Sequence, residues 1–185
     1  SATLLRKHCP DLSFAILEAL EGHGGTWLIH KYPGTRSDSD LFTFGYGFKP
    51  WTGQPIASRD QILDYLGEAI ADAGLGPSIR YGHSVKSADW SSETARWQLT
   101  VERKGAGDVV QMEASFLWMC QGYYRHEKGY TPQWPGMDRF KGQIIHPQHW
   151  PEGLDLAGKN VTVIGSGATA ATLSPALADR GAPVT

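Results

Sequence analysis

The sequence predicts an α/β fold, with a three-stranded antiparallel β-meander in mid-chain and a strand, glycine turn and helix near its end. Three observations carry this. Residues 79–120 alternate apolar and polar side chains with a period of two, around a turn at "GAGD", as half-buried strands do. "SRDQILDYLGEAIADAG" repeats its apolar residues at helical spacing between a start and a stop signal. "NVTVIGSGATAATL" runs from a β-branched strand through closely spaced glycines into a helix.

In chain order, Leu4 and Leu5 belong to the last turns of a helix that Cys9-Pro10 ends, since proline cannot continue it. "SFAILE" is a short buried strand closing on an acid, Glu18. In the next helix Ser58 is the N-cap and Gln61, three residues on, completes a capping box. Ile62, Leu63, Leu66, Ala69, Ile70 and Ala73 line one face, and Gly74 is placed to stop it. The meander strands are expected at 78–90, 95–104 and 109–122. Residues 123–159 form a Pro- and Gly-rich connection without periodicity, a length that is usually functional or inter-domain. "TAATLSPALADRGAPVT" is a helix leading into the first residues of a strand. A chain that starts mid-helix and stops mid-strand is expected to be an internal fragment of a longer protein.

Composition narrows the partners. The 17 basic and 19 acidic residues leave a net charge of −2, with no electrostatic footprint for nucleic acid or an anionic membrane. The two cysteines, Cys9 and Cys120, form no CxxC pair, which excludes a disulfide framework and a redox dithiol and fits a reducing, cytoplasmic compartment. No apolar run approaches bilayer length and no signal peptide opens the chain.

The glycine turn is the first candidate site. In Gly165-Ser166-Gly167-Ala168-Thr169-Ala170 the first glycine allows the tight turn, and the second lets a diphosphate approach the backbone. The third small residue lets helix and strand pack closely, and the helix N-terminus supplies N–H groups and partial positive charge. A dinucleotide is the expected ligand; the competing reading is a tight turn that holds none. Glu18 ends a strand where a Rossmann unit bonds a ribose hydroxyl; alone it reads as a surface acid, and the neighbouring "GHGGTW" is what favours the ribose role. Gly24 and Gly25 would let a ring or phosphate reach the main chain, with Thr26 and Trp27 beside it. A loop anchored by a buried tryptophan explains them as well. His146 and His149 share a helical spacing, yet Pro147 intervenes and no cysteine or carboxylate completes a tetrahedron, so no metal is expected.

"FKGQIIHPQHWP" fits F-x-G-x-x-x-H-x-x-x-W-P through Phe140, Gly142, His146, Trp150 and Pro151. This pattern resembles the fingerprint of the Baeyer–Villiger flavin monooxygenases, and here too it lies just before a glycine turn. "AILE", "GGTW", "YPGTRSDSD", "FKPWTG", "SADWS", "CQGYY" and "VIGSGATA" are similar to the same family, so the resemblance spans nearly the whole chain. Gln121 departs from it, standing where a small residue is usual.

The resemblance implies a flavoprotein with two Rossmann-like dinucleotide-binding domains, truncated at both ends. Residues 1–122 would be a partial FAD-binding domain without its first strand and GxGxxG, 123–159 the inter-domain linker, and 160–185 the start of an NADP-binding domain. Glu18 would hold the adenosine ribose of FAD, Gly24, Gly25, Thr26 and Trp27 would run along the flavin dinucleotide, and the Val85 backbone would meet adenine. Arg36, Ser37 and Asp38 would lie between flavin and nicotinamide, with Asp38 as the catalytic carboxylate that orients an arginine outside this chain. Gly165 to Ala170 would cradle the pyrophosphate of NADP(H), while His146 and Trp150 would support domain orientation.

The implied reaction uses NADPH and O2 to insert an oxygen into a ketone, or onto a sulfide or thioamide, through a C4a-peroxyflavin. Such chemistry needs a dry site with its charge fixed in advance, which an Asp–Arg pair supplies. Two rivals stand beside it: an N- or S-oxygenating flavin monooxygenase without ketone activity, and an inactive nucleotide-binding remnant.

Overall fold

A computed structural model describes residues 1–185. By contacts the chain forms two compact units, Ser1–Gly25 with Tyr65–Tyr123, and Thr26–Asp64 with Tyr124–Thr185.

In the first unit, helix α1 (Ala2–His8) ends at Cys9, immediately before Pro10. The Arg6 guanidinium donates to the carbonyls of Ala73 (2.9 Å) and Gly74 (2.6 Å), a cation set where a helix exposes unpaired carbonyls. Strand β1 is only Ile16–Leu17 and pairs in parallel with β2 (Ile79–Arg80). The pairing continues as single bonds: Glu18 N–H to the Arg80 carbonyl, His83 N–H to the Glu18 carbonyl, and Gly82 N–H to the Leu20 carbonyl.

The meander is β3 (His83–Ser91), β4 (Arg96–Arg103) and β5 (Asp108–Ala114), antiparallel in that order. Val101 of the central strand is fully buried and Leu99 nearly so. The register slips between Val85 and Ser87, leaving Lys86 at a bulge, from which its ammonium reaches the Glu102 carboxylate (2.7 Å). At the second hairpin the Arg103 guanidinium forks onto both oxygens of Asp108.

Two expectations need correction here. The first meander strand does not begin at residue 78. The chain breaks at Tyr81–Gly82, where Gly82 turns with φ +66°, and residues 79–80 join β1 instead. The last strand stops at Ala114, not at 122, because Ala114 already faces Trp97 and only Arg96 of β4 lies beyond. Past that point Phe116 is 77% exposed.

In the second unit, Thr26–Ile29 is a single helical turn (α2) and Leu41–Phe44 another (α3), capped by Asp40. Asp40 accepts from the Thr43 hydroxyl (2.8 Å) and backbone N–H (2.9 Å), which together hold its carboxyl below the usual range. Helix α4 (Arg59–Asp72) crosses the border between the units, and Ile62, Tyr65 and Ala69 on its inner face are buried. The capping box closes as the sequence requires: Ser58 N–H donates to Gln61 Oε1 and Gln61 N–H to Ser58 Oγ.

Residues 124–159 contain only two short 3-10 turns, Met137–Arg139 and Pro147–His149. Helix α5 (Ala168–Ala178) closes the chain and supplies the core of this unit: Leu173 and Leu177 pack with Tyr32 and Ala182. Burying a leucine of this kind stabilises by about 1.5–3 kcal/mol. The buried strand expected before the glycine turn is one parallel bridge, Val161 to Val184, with Val161 N–H donating to the Pro183 carbonyl and Val163 N–H to the Thr185 carbonyl. Val161 and Val163 face the core, while Ile164 is 71% exposed.

Candidate functional site

The bridge at Val161 delivers the chain to Gly165, whose φ of +152° leaves the strand path that a side-chain-bearing residue would follow. Gly167 is the N-cap of α5 and offers no side chain to the helix. The first-turn N–H groups of α5 therefore have no side-chain acceptor. A Cβ placed on Gly165 or Gly167 would meet nothing within 4 Å. An uncapped N-terminus beneath open space suits an anionic ligand, because the donors and the macrodipole both favour negative charge.

This turn forms one wall of a cleft of about 210 Å³. Gly165, Gly167, Thr169 and Ala170 line it together with His30, His146 and Gln148. The glycine turn and the histidine of the twelve-residue motif are thus brought to one place.

Local chemistry fixes the opposite wall. His146 is the N-cap of the 3-10 turn Pro147–His149, its Nδ1 accepting the Gln148 N–H (3.2 Å). Gly129 lies against the same ring: a Cβ there would fall 2.2 Å from His146 Cε1. Gln148 is buried, and its amide donates to two carbonyls of the preceding segment, Arg125 (3.0 Å) and His126 (2.7 Å). His30 Nδ1–H donates to the Thr26 carbonyl (3.0 Å), and the ring stands edge-on to Tyr32 and Tyr124.

The remaining motif residues go elsewhere. Trp150 and Pro151 line a second depression of about 240 Å³ with Lys31, Pro33 and Arg180, and the Lys31–Glu152 ion pair (3.1 Å) lies along it. The exposed Phe140 ring folds over Gly142, where a Cβ would meet its Cζ at 2.5 Å.

The loop of residues 32–38 lies in the same unit. Ser37 is buried, its N–H donating to the Ala57 carbonyl (2.9 Å) and its Oγ accepting the Ala57 N–H (3.1 Å). Arg36 bridges Ser58 through its backbone and is exposed. Asp38 is exposed too, with one contact to the Ser39 hydroxyl (3.3 Å). Trp27 is half-buried within α2.

In the first unit, Glu18 is half-buried and turns one carboxylate oxygen back onto the Leu20 N–H (2.9 Å). Burial, with the Glu18 charge added, raises the Tyr81 phenol above its usual range. Gly24 (φ +110°) and Gly25 (φ +49°) hold left-handed backbone, and a Cβ on Gly25 would meet nothing within 4 Å. Val85 is exposed at the bulge.

Sequence reasoning missed Gln148, His30 and Gly34. Gln148 occupies an unspecified position of the motif, so no local pattern marks it. Gly34 carried a signal, a glycine after proline at the end of "YPG", but its meaning depends on what it touches.

Comparison with known proteins identifies the family. The family model "Flavin-binding monooxygenase-like" matches residues 55–184. The chain is 53% identical over 179 residues to the FAD-containing monooxygenase EthA of Mycolicibacterium smegmatis, covering 96% of this chain and 36% of that protein. It is 51% identical to EthA of Mycobacterium tuberculosis over the same shares. Among solved structures, oxidised steroid monooxygenase bound to NADP superposes with a TM-score of 0.81 at 32% identity, over 99% of this chain and 35% of that one. Cyclohexanone monooxygenase bound to ε-caprolactone gives 0.79 at 29% identity, over 96% and 34%. The chain therefore spans about a third of the length of these relatives.

Proposed function

The chain belongs to the flavin-binding monooxygenase-like family, and on that premise we propose that the complete protein is an FAD- and NADPH-dependent monooxygenase of Baeyer–Villiger type. It would insert one oxygen atom of O2 into a ketone, giving an ester or lactone, and would oxidise sulfides or thioamides. The observation that carries this reading is the uncapped glycine turn sharing one cleft with His146 of the fingerprint. The relatives named for FAD and the neighbour bound to NADP support the cofactor pair.

Both nucleotide assignments fit the residues present. Gly165 to Ala170 would hold the NADP pyrophosphate on the free N–H groups of α5. Glu18 has one carboxylate oxygen engaged by Leu20 N–H, so the other would take a ribose hydroxyl of FAD. Gly24 and Gly25 offer left-handed backbone, open at Gly25, for the dinucleotide, with Thr26 and Trp27 following, and the Val85 backbone at the bulge would meet adenine. When bound, FAD reduced by NADPH supplies the activation of O2.

The chain's own contribution is to place charge. Ser37 is locked to Ala57 on both its N–H and its Oγ, so Arg36 and Asp38 leave a fixed point. Asp38 would orient an arginine by a charge-assisted hydrogen bond, presenting a preset positive charge to developing negative charge on oxygen. His146 and Trp150 hold neighbouring parts of the connection and act by positioning.

The test is product analysis with several ketones and sulfides, NADPH and O2. Ester or lactone is expected; hydrogen peroxide alone would end the monooxygenase reading, and sulfoxide without ester would favour the rival oxygenase. Asp38→Ala should lower ester yield about a hundredfold, the scale of losing one preorganised electrostatic group, while FAD remains bound. Unchanged yield would remove Asp38 from the mechanism.

A further inference from the structure

We propose that Gly34 is a positioning residue that seats the loop carrying Arg36, Ser37 and Asp38 directly on helix α5, so that this loop and the glycine turn move as one body. The proposal rests on the reading of residues 165–170 as a pyrophosphate cradle and of Asp38 as the carboxylate of the oxygenation site.

Gly34 adopts φ +79°, and a Cβ added to it would lie 2.4 Å from the Thr172 carbonyl oxygen and 2.8 Å from Ala176 Cβ. Neither neighbour is the far end of a flexible side chain. One is helix backbone and the other a methyl on the next turn. Loop backbone and helix backbone are therefore in direct contact, which only a residue without a side chain permits. Any substitution must open the contact by about 1 Å to restore van der Waals distance.

Both partners of the contact are tied onward. The Thr172 hydroxyl donates to the carbonyls of Ala168 (3.0 Å) and Thr169 (3.2 Å), which belong to the first turn of α5. On the loop side, Tyr32 is buried among Leu173, Leu177 and Ala182, and the Thr35 hydroxyl donates back to its carbonyl. The Thr35 carbonyl accepts the Arg59 N–H (3.0 Å), and Ser37 is held at both ends by Ala57. A close-packed route thus runs from the glycine turn through Thr172 and Gly34 to Thr35, Ser37 and the neighbouring Asp38. Gly34 and Asp38 are themselves exposed, so the backbone contact at Gly34, with no flexible side chain to give way, is what carries a displacement across. A misplacement near 1 Å at reacting groups can cost about a hundredfold in rate, so the glycine would set the reach of Asp38 from a distance.

The experiment is hydrogen exchange on the complete, FAD-loaded protein, alone and with 2′-phospho-ADP-ribose, which is NADP+ without its nicotinamide ring. In the wild type the probe should slow exchange at residues 168–170 and, through Gly34, slow the Thr35 and Ser37 amides about tenfold. In Gly34→Ala the slowing at 168–170 should stay within about twofold of wild type while that at Thr35 and Ser37 disappears. Equal slowing at Thr35 and Ser37 in the variant, or none there in a wild type protected at 168–170, overturns the coupling. A wild type without slowing at 168–170 defeats the dinucleotide reading instead. The ligand-free arm then decides the seating: Gly34→Ala must speed exchange at Thr35, Ser37 and Ala176 about tenfold and leave β4 unchanged. Unaltered rates there overturn it. Should Gly34→Ala fail to fold, Ala176→Val presses on the same contact from the helix side without φ strain. It should show the same pattern at smaller amplitude, and wild-type exchange in that variant counts against the proposal.

Discussion

The meander of residues 83–114 and the connection of residues 124–167 hold their shape by opposite means. The meander is a continuous ladder: each residue of β4 has a partner on both sides or next to one, and Val101 and Leu99 close it from within. The connection has two isolated 3-10 turns and is held by single points, among them the Gln148 amide on two carbonyls and the His146 ring against Gly129. A ladder shares a loss among many bonds and fails as a unit, whereas a pinned segment fails where its pin is removed. The cleft at the glycine turn is built on the second kind of support.

The largest effect is expected in the ladder. Leu99→Ala removes a buried side chain from the central strand and should cost about 2–5 kcal/mol. Because β4 pairs with both neighbours, amides of β3, β4 and β5 should lose protection together, along with the near-UV signal of the Trp90–Trp97 pair (5.6 Å). If β5 opened alone while β3 stayed protected, the meander would not be one cooperative unit. Gln148→Ala should cost less, about 1–3 kcal/mol, the loss of two hydrogen bonds at about 0.5–1.5 kcal/mol each. That loss should stay local. Trypsin should cut at Arg125 and Lys128 about tenfold faster, a 1.4 kcal/mol change in opening, while β4 exchange holds its wild-type rate. Faster exchange across the meander would erase the distinction between the two regions.

Legibility in the sequence follows the same division. Helix α4 could be read residue by residue, since its cap, apolar face and stop at Gly74 (φ +60°) are all local signals. The meander was legible as three strands, but its limits were not. Alternation runs on through Tyr81–Gly82 and past Ala114, and only pairing decides where a strand ends: β2 is claimed by β1, and β4 has almost no residue left beyond Ala114. At the site, Gly165 to Ala170 were visible because a turn and a helix start are written in consecutive residues. The strand before them was legible as a strand, but only Val161 and Val163 of it face the core while Ile164 is exposed. Gln148 was silent and Gly34 showed only as a turn glycine, since each acts on a partner far along the chain.

The smallest effect concerns the charged pairs on the meander surface. Lys86 lowers the Glu102 carboxyl, chiefly through its hydrogen bond, and Arg103 does the same to Asp108. A carboxyl depressed in the folded state contributes stability above its ordinary value and loses it as pH falls through the folded one. The relevant window therefore lies below the ordinary values of 4.5 for Glu102 and 3.8 for Asp108. All four side chains remain between 40% and 48% exposed, so water and salt screen both pairs. Melting followed by the tryptophan signal should show a shallow fall within that window. Glu102→Gln with Asp108→Asn should flatten it, and 1 M salt should blunt it. A steep fall that survives the double substitution would mean that acid acts elsewhere first. Asp40, whose carboxyl caps α3 and is also depressed by Thr43, is then the group to replace, and α3, not the ladder, would be what acid undoes first.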